Sequence, residues 1–234
     1  MGPSGEIPPE QWSVYSRVIQ TARREGVPFA IGGAFAFGAY TGLWRNTKDL
    51  DLYVLPRDRD AMIGVLVRNG LSDYYSRLPY DRRWIYRGVA NGTIVDVIWS
   101  MANQRAQVDE TWIAGGREVT LNGESVRAIP AEELIWAKMY VLQRERCDWP
   151  DVLNVIYAAG PGLNWAHLLD RLGEDWDVLK SLLVLFSWLA PGRACALPAW
   201  LWERLELKIP APGAEDVDQR RVALLDTRPW FGRR

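Results

Sequence analysis

Asp49-Leu50-Asp51-Leu52-Tyr53-Val54 alternates acid and apolar residues with a period of two, the period of a β-strand. On a strand, residues two apart share a face, so Asp49 and Asp51 lie on one side and Leu50 and Leu52 on the other. Two carboxylates about 5 Å apart repel by roughly 3 kcal/mol at an effective dielectric near 20. A divalent cation relieves that repulsion, and Mg²⁺ takes one or two carboxylates together with substrate phosphates. Full hydration of an exposed face also relieves it, and the pair alone does not separate the two.

Two neighbouring features narrow the choice. Upstream, Val27 to Ile31 reads as a short strand running into Gly32-Gly33, with a small apolar helix from Ala34 to Leu43. Glycines at a strand-to-helix turn let backbone amides approach a phosphate, and a helix N-terminus favours an anion. Downstream, Val95-Asp96-Val97 sets an acid inside an apolar strand, costly unless the carboxylate faces solvent, is paired or binds metal. Three acids behind a glycine turn are far more specific than any one part.

These elements need a scaffold. Pro8-Pro9 opens a helix whose apolar positions recur up to Glu25, and Arg57 to Asn69 reads as an amphipathic helix closed by Gly70. Leu71 to Leu78, Arg82 to Arg87 and Thr93 to Trp99 read as strands, the last two joined at Asn91-Gly92. A second hairpin turns at Asn122-Gly123. From Pro130 the pattern is helical only: Ala131 to Arg144, Trp149 to Ala159, Trp165 to Leu172, Trp176 to Leu189 and Pro198 to Leu205. The expectation is an α+β protein, with a mixed-sheet domain over residues 1–130, an all-helical domain over 131–208 and a loosely ordered, Pro/Gly/Asp/Arg-rich tail over 209–234.

Gly32-Gly33, a short helix, Arg45-x-Thr47-Lys48-Asp49-Leu50-Asp51-Leu52 and the later Asp96 resemble the DNA polymerase β-like nucleotidyltransferase superfamily. The Arg-x-Thr-x-Asp-x-Asp form resembles its branch of abortive-infection toxins (type IV) and antibiotic-modifying enzymes. Further on, Ile129-Pro130-Ala131-Glu132-Glu133-Leu134 leads into a helix carrying Lys138, followed by Arg144, Arg146, Asp148 and Asp151, which resembles the branch's lysine helix and Arg/Asp segment. Two features depart from the pattern: the segment from Gly33 to Asp49 is longer than usual, and Cys147-Asp148-Trp149-Pro150 replaces a Lys-Asp pairing.

The resemblance implies transfer of a nucleoside monophosphate from an NTP to an acceptor, with pyrophosphate leaving and two Mg²⁺ ions (or Mn²⁺) neutralising charge. It assigns metal binding and catalysis to Asp49, Asp51 and Asp96. Nucleotide contacts fall to Gly32, Gly33, Arg45, Thr47, Lys48, Lys138, Asp148 and Asp151. For the arginines, Asp148 and Asp151, local Arg-Asp pairs on a helix face are an equally weighted reading. A small molecule, a tRNA end or a protein hydroxyl all suit as acceptor, and a toxin of this kind implies a cognate antitoxin. A non-catalytic nucleotide- or partner-binding module on the same fold is the alternative.

Bulk properties exclude other classes. A formal net charge of −1 offers no basic excess for DNA or long RNA. The longest apolar stretch, Val178 to Ala190, is too short for a bilayer and interrupted by Lys180. Cys147 and Cys195 read as reduced thiols, and the start lacks the pattern of a signal peptide, so a cytoplasmic protein is expected. His167, the only histidine, reads as a helix-surface or interhelical residue, which leaves little from which to build a Ser-His-Asp hydrolase or a zinc site. The tryptophans, most of them after Trp99, read chiefly as core.

Overall fold

The computed structural model describes residues 7–45, 47–211, 215–225 and 231. The chain divides into two units, Met1–Pro130 and Ala131–Arg234.

The first unit begins with α1 (Pro9–Arg24), where a proline sits in the first turn and Val14, Tyr15, Val18, Ile19 and Ala22 form the buried stripe. There follow β1 (Ala30–Ile31), α2 (Gly33–Thr41), β2 (Asp49–Tyr53), α3 (Arg59–Arg68), β3 (Ser72–Asp73), β4 (Ile85–Ala90), β5 (Thr93–Ile98), α4 (Glu110–Ala114), β6 (Glu118–Leu121) and β7 (Glu124–Arg127). Five strands form one mixed sheet in the order β1-β2-β5-β4-β3, and β6 and β7 form a separate hairpin. Within this sheet β2 and β5 run parallel and the other described pairs antiparallel, and the β2–β5 register sets Asp51 level with Asp96. Asn91 and Gly92 adopt φ of 51° and 80°, the left-handed pair a two-residue hairpin turn requires.

One face of the sheet is apolar. Leu50, Leu52, Val95 and Val97 are buried, and Gly88, level with Val95, has Leu66 of α3 and Leu71 packed against it. Each such buried side chain stabilises the fold by roughly 1.5–3 kcal/mol. Four of them outweigh the repulsion expected of acids on the opposite face.

Some elements are shorter than their sequence patterns suggest. The strand expected from Val27 is confined to Ala30–Ile31, because the Val27 amide donates to Ala22 O at the end of α1. The strand expected over Leu71 to Leu78 stops at Asp73, whose side chain accepts from the Tyr75 amide and turns the chain into a 3-10 turn at Tyr74–Ser76.

The second unit is helical: α5 (Ala131–Met139), α6 (Trp149–Ala159), α7 (Trp165–Leu172), α8 (Trp176–Leu189), α9 (Pro191–Ala194), α10 (Ala199–Arg204) and α11 (Gln219–Leu225). Trp136, Trp165 and Trp202 are buried in it, the core role expected of the tryptophans, whereas Trp200 is 44% exposed. α5 ends five residues before the expected Arg144. Beyond it the chain doubles back, with Gln143 N donating to Arg146 O and Asp148 N to Val141 O. Within 209–234, Asp218 N donates to Leu189 O, the Asp218 side chain caps the start of α11, and Val222 is buried. Among the described residues no helix is long and apolar enough to cross a membrane.

Candidate active site

The polar face of the sheet carries a row of charge. Asp49 and Asp51 project from alternate positions of β2 and are half-buried; Asp96, on β5 beside Asp51, is 1% exposed. One carboxylate oxygen from each of the three lies within 4.8 Å of the others. Oxygens bound to one octahedral Mg²⁺ at about 2.1 Å are about 3.0–4.2 Å apart, so the acids need draw in only slightly to share an ion. Their hard oxygen donors suit Mg²⁺ or Mn²⁺. This is the arrangement the Asp-x-Asp spacing and Asp96 led us to expect.

Gly32 and Gly33 are required by this geometry. The Gly32 amide donates to Asp51 O at 2.9 Å and continues the β1–β2 pairing. A Cβ on Gly32 would lie 2.1 Å from the Tyr53 ring, which is stacked on Trp112 with centroids 5.3 Å apart. Gly33 opens α2 with φ of 52°, and a Cβ there would lie 1.7 Å from Asp51 Oδ2. The missing side chain at Gly33 is therefore the space that Asp51 occupies.

The loop before β2 is organised around the first acid. Thr47 Oγ1 donates to Asp49 Oδ1 at 2.8 Å, and Thr47 O accepts from Gln11 Nε2 at 2.7 Å. The Gln11 amide also bonds the buried Tyr15 hydroxyl, whose pKa burial pushes up, opposed by that bond and reinforced by Asp49, Asp51 and Asp96. Arg45 is exposed, its guanidinium 5.1 Å from the Phe37 ring centroid, and Lys48 is exposed.

One residue at the site escaped the sequence reading. Arg87, opposite Asp96 on β4, grips both of its oxygens: Nε donates to Oδ1 at 2.8 Å and Nη2 to Oδ2 at 2.5 Å. Burial raises the Asp96 pKa, the Arg87 pairing opposes that rise, and Asp49 adds to it. The pairing with Asp96 in turn holds Arg87 firmly protonated against the cost of its own burial. The Arg87 amide donates to Tyr80 Oη at 2.9 Å, and Tyr80 Oη donates to Asp73 Oδ1 at 2.8 Å. Burial, offset by the Arg87 amide and reinforced by Asp73, pushes the Tyr80 phenol up to about 12.

Lys138, Asp148 and Asp151 form a cluster of their own in the helical unit. Lys138 Nζ donates to Asp148 Oδ2 and Asp151 Oδ2, each at 2.8 Å, and all three residues are buried. Arg146 adds two bonds to Asp148. Burial alone would raise the Asp148 pKa, but Arg146 and Lys138 overcome it and hold the carboxyl below its usual range. His167 lies between helices as expected, its Nε2 2.7 Å from Oε1 of the fully buried Glu133, which also accepts from Arg171 at 3.1 Å.

A mixed sheet carrying a carboxylate triad beside a glycine turn defines the class, a nucleotidyltransferase fold. A sequence profile described as "uncharacterised nucleotidyltransferase" matches residues 16–190. The chain belongs to that family and is a nucleotidyltransferase. Among curated protein sequences none matches. Among solved structures, the antibiotic-resistance factor ANT(2'')-Ia is 18% identical, with 76% of this chain and 91% of that one covered at a TM-score of 0.48. The lincosamide antibiotic adenylyltransferase LnuA, lincomycin-bound, is 13% identical, covering 64% of this chain and 98% of that one at 0.46. A protein from Thermotoga maritima is 15% identical, covering 56% of this chain and 84% of that one at 0.43.

Proposed function

We propose that this nucleotidyltransferase is metal-dependent, and that Asp49, Asp51 and Asp96 hold two divalent cations, Mg²⁺ or Mn²⁺, against the triphosphate of an NTP. The observation that carries this is the convergence of the three carboxylates within 4.8 Å beside the Gly33 slot that Asp51 fills. When bound, the cations supply charge neutralisation for the triphosphate and for the leaving pyrophosphate. An acceptor hydroxyl oxygen attacks the α-phosphorus, the bond from that phosphorus to the bridging oxygen breaks, and pyrophosphate departs. The hydroxyl proton passes to Asp96, whose pKa is raised by burial in the direction a base near neutral pH requires.

In this reading the backbone around Gly32 and Gly33, with Arg45, Thr47 and Lys48, receives the nucleotide phosphates. Thr47 also fixes Asp49 through its 2.8 Å bond. For Lys138, Asp148 and Asp151 we favour a local role, an ion cluster that pins α5 to the start of α6.

One observation favours a second reading, a non-catalytic nucleotide-binding module: Arg87 already occupies both oxygens of Asp96. Turnover separates the two. Incubation with each labelled NTP, Mg²⁺ and a cell extract should transfer label to an acceptor whose identity the label reveals. Asp51→Asn should abolish transfer while the protein stays folded. Transfer retained by folded Asp51→Asn would sink the catalytic assignment.

A further inference from the structure

One face of β2 grips the Gly32-Gly33 turn at two points. Asp51 fills the slot at Gly33, and Tyr53, two residues on and on the same face, fills the space at Gly32. A Cβ on Gly32 would lie 2.1 Å from Tyr53 Cε2 and 2.6 Å from Cδ2, so the edge of the ring lies against the turn. The ring is stacked on Trp112 of α4, with centroids 5.3 Å apart and planes 16° from parallel, and Trp112 is fully buried. Between the two grips, the Gly32 amide donates to Asp51 O at 2.9 Å.

The two glycines answer different demands. Gly33 has φ of 52°, which by itself favours glycine. Gly32 has φ of −121°, a value open to other residues, so the Tyr53 ring rather than the φ angle excludes a side chain there. Tyr53 is half-buried on the acid face, and its ring is not part of the apolar layer that Leu50 and Leu52 build. The first amides of a helix have no partner within it, and their direction follows the turn that leads in. For α2 that turn is Gly32-Gly33.

We infer that Tyr53, backed by Trp112, is a positioning residue for the triphosphate: its ring edge sets the course of the chain at Gly32 and so aims the first amides of α2. This inference rests on the reading proposed above, in which the backbone around Gly32 and Gly33 receives the nucleotide phosphates. One strand then sets both halves of the site, the cations through Asp49 and Asp51 and the phosphates through Tyr53. The halves are separable, because the two acids stay on β2 when the ring is removed.

Two titrations of the full-length protein test this: inorganic tripolyphosphate with Mg²⁺, followed by calorimetry, and Mn²⁺ without phosphate, followed by the electron paramagnetic resonance of free Mn²⁺. Tyr53→Ala should weaken tripolyphosphate binding at least about tenfold, within the roughly 100-fold that a 1 Å misplacement costs a reaction rate. Its Mn²⁺ affinity should hold. Tyr53→Phe, which keeps the ring, should restore tripolyphosphate binding. Gly32→Ala forces ring and turn about 0.9 Å apart, the difference between 3.0 and 2.1. It should cause a similar loss alone and little further loss in Tyr53→Ala, where the ring is gone. Tyr53→Leu, which keeps apolar bulk without a planar edge, should give an intermediate loss and covers the case in which Tyr53→Ala does not fold.

Folded Tyr53→Ala or Tyr53→Leu with wild-type tripolyphosphate affinity would overturn the inference. So would a parallel loss of Mn²⁺ affinity, a loss in Tyr53→Phe equal to that in Tyr53→Ala, or equal losses from Gly32→Ala in both backgrounds. A wild type that binds Mn²⁺ but no tripolyphosphate refutes the phosphate reading beneath the inference, and that failure is told apart because it needs no variant.

Discussion

Gly33 and Gly42 form a matched pair for testing how the acid cluster is held. Both have left-handed backbones, with φ of 52° and 73°. Alanine at either position pays the left-handed penalty of about 1–2 kcal/mol. They differ in what a Cβ would meet: nothing within 4 Å at Gly42, and Asp51 Oδ2 at 1.7 Å at Gly33. Contacts of a real Cβ do not fall below 3.0 Å, so in Gly33→Ala the Asp51 carboxylate must retreat by about 1.3 Å, the difference between 3.0 and 1.7. Asp51 carries the middle of the carboxylate row, and a 1 Å misplacement at a reacting centre costs on the order of 100-fold in rate. Both variants should lose about 1–2 kcal/mol in urea denaturation. Gly42→Ala should retain wild-type Mn²⁺ affinity, whereas Gly33→Ala should bind Mn²⁺ about 10–100-fold more weakly, the range typical for loss of support to a metal ligand. NTP-dependent transfer should fall in parallel. A folded Gly33→Ala protein that matches Gly42→Ala in Mn²⁺ affinity would refute the claim that Gly33 exists to make room for Asp51.

Asp96→Ala should retain NTP and Mn²⁺ binding at Asp49 and Asp51, seen as a thermal shift, while losing turnover; full turnover would remove Asp96 from the mechanism. In the helical unit, Lys138→Ala leaves two buried carboxylates without their shared cation and should destabilise by about 3–5 kcal/mol; an unchanged urea midpoint would show that the cluster holds nothing. The same cluster fixes a pH dependence. The Asp148 pKa is lowered in the folded state, so its contribution is fully present above the ordinary aspartate range and is lost as pH falls through the lowered value. Thermal melts from pH 7 down toward pH 3 should show a drop that is weaker in Asp148→Asn; equal drops would refute that assignment.

How much of this was legible in the sequence depends on which interactions are local. The Asp49/Asp51 face follows from strand period alone, and the apolar partner face from Leu50 and Leu52, so the orientation of the acids needed no structure. The two Asn-Gly turns fall where expected because few residue pairs adopt two consecutive left-handed conformations, although the strand expected over Arg82 to Arg87 runs instead over Ile85–Ala90. Element ends were less legible, since competing side chains set them. Asp73 diverts a strand into a turn, and Asp148 is brought to Lys138 by a backbone reversal that cuts α5 short. The Lys138 cluster itself joins residues ten and thirteen apart across that reversal, a pairing that sequence spacing along one continuous helix could not show.

Arg87 is the instructive omission, because the signal for it was present. With Asn91-Gly92 as a two-residue turn, Ala90 faces Thr93, and counting outward pairs Arg87 with Asp96. Opposite charges directly across an antiparallel pair attract. The same count sets Gly88 opposite Val95, on the face where Leu66 and Leu71 leave no room for a side chain. The hairpin thus delivers a small residue to the core face and a cation to the acid face in adjacent positions. Strand parity makes the two requirements inseparable. A one-residue slip of β4 against β5 would turn Arg87 into the apolar layer and leave Asp96 buried without its counter-charge. The register of this hairpin is therefore held from both faces of the sheet, and the second acid-bearing strand is fixed before any ligand arrives.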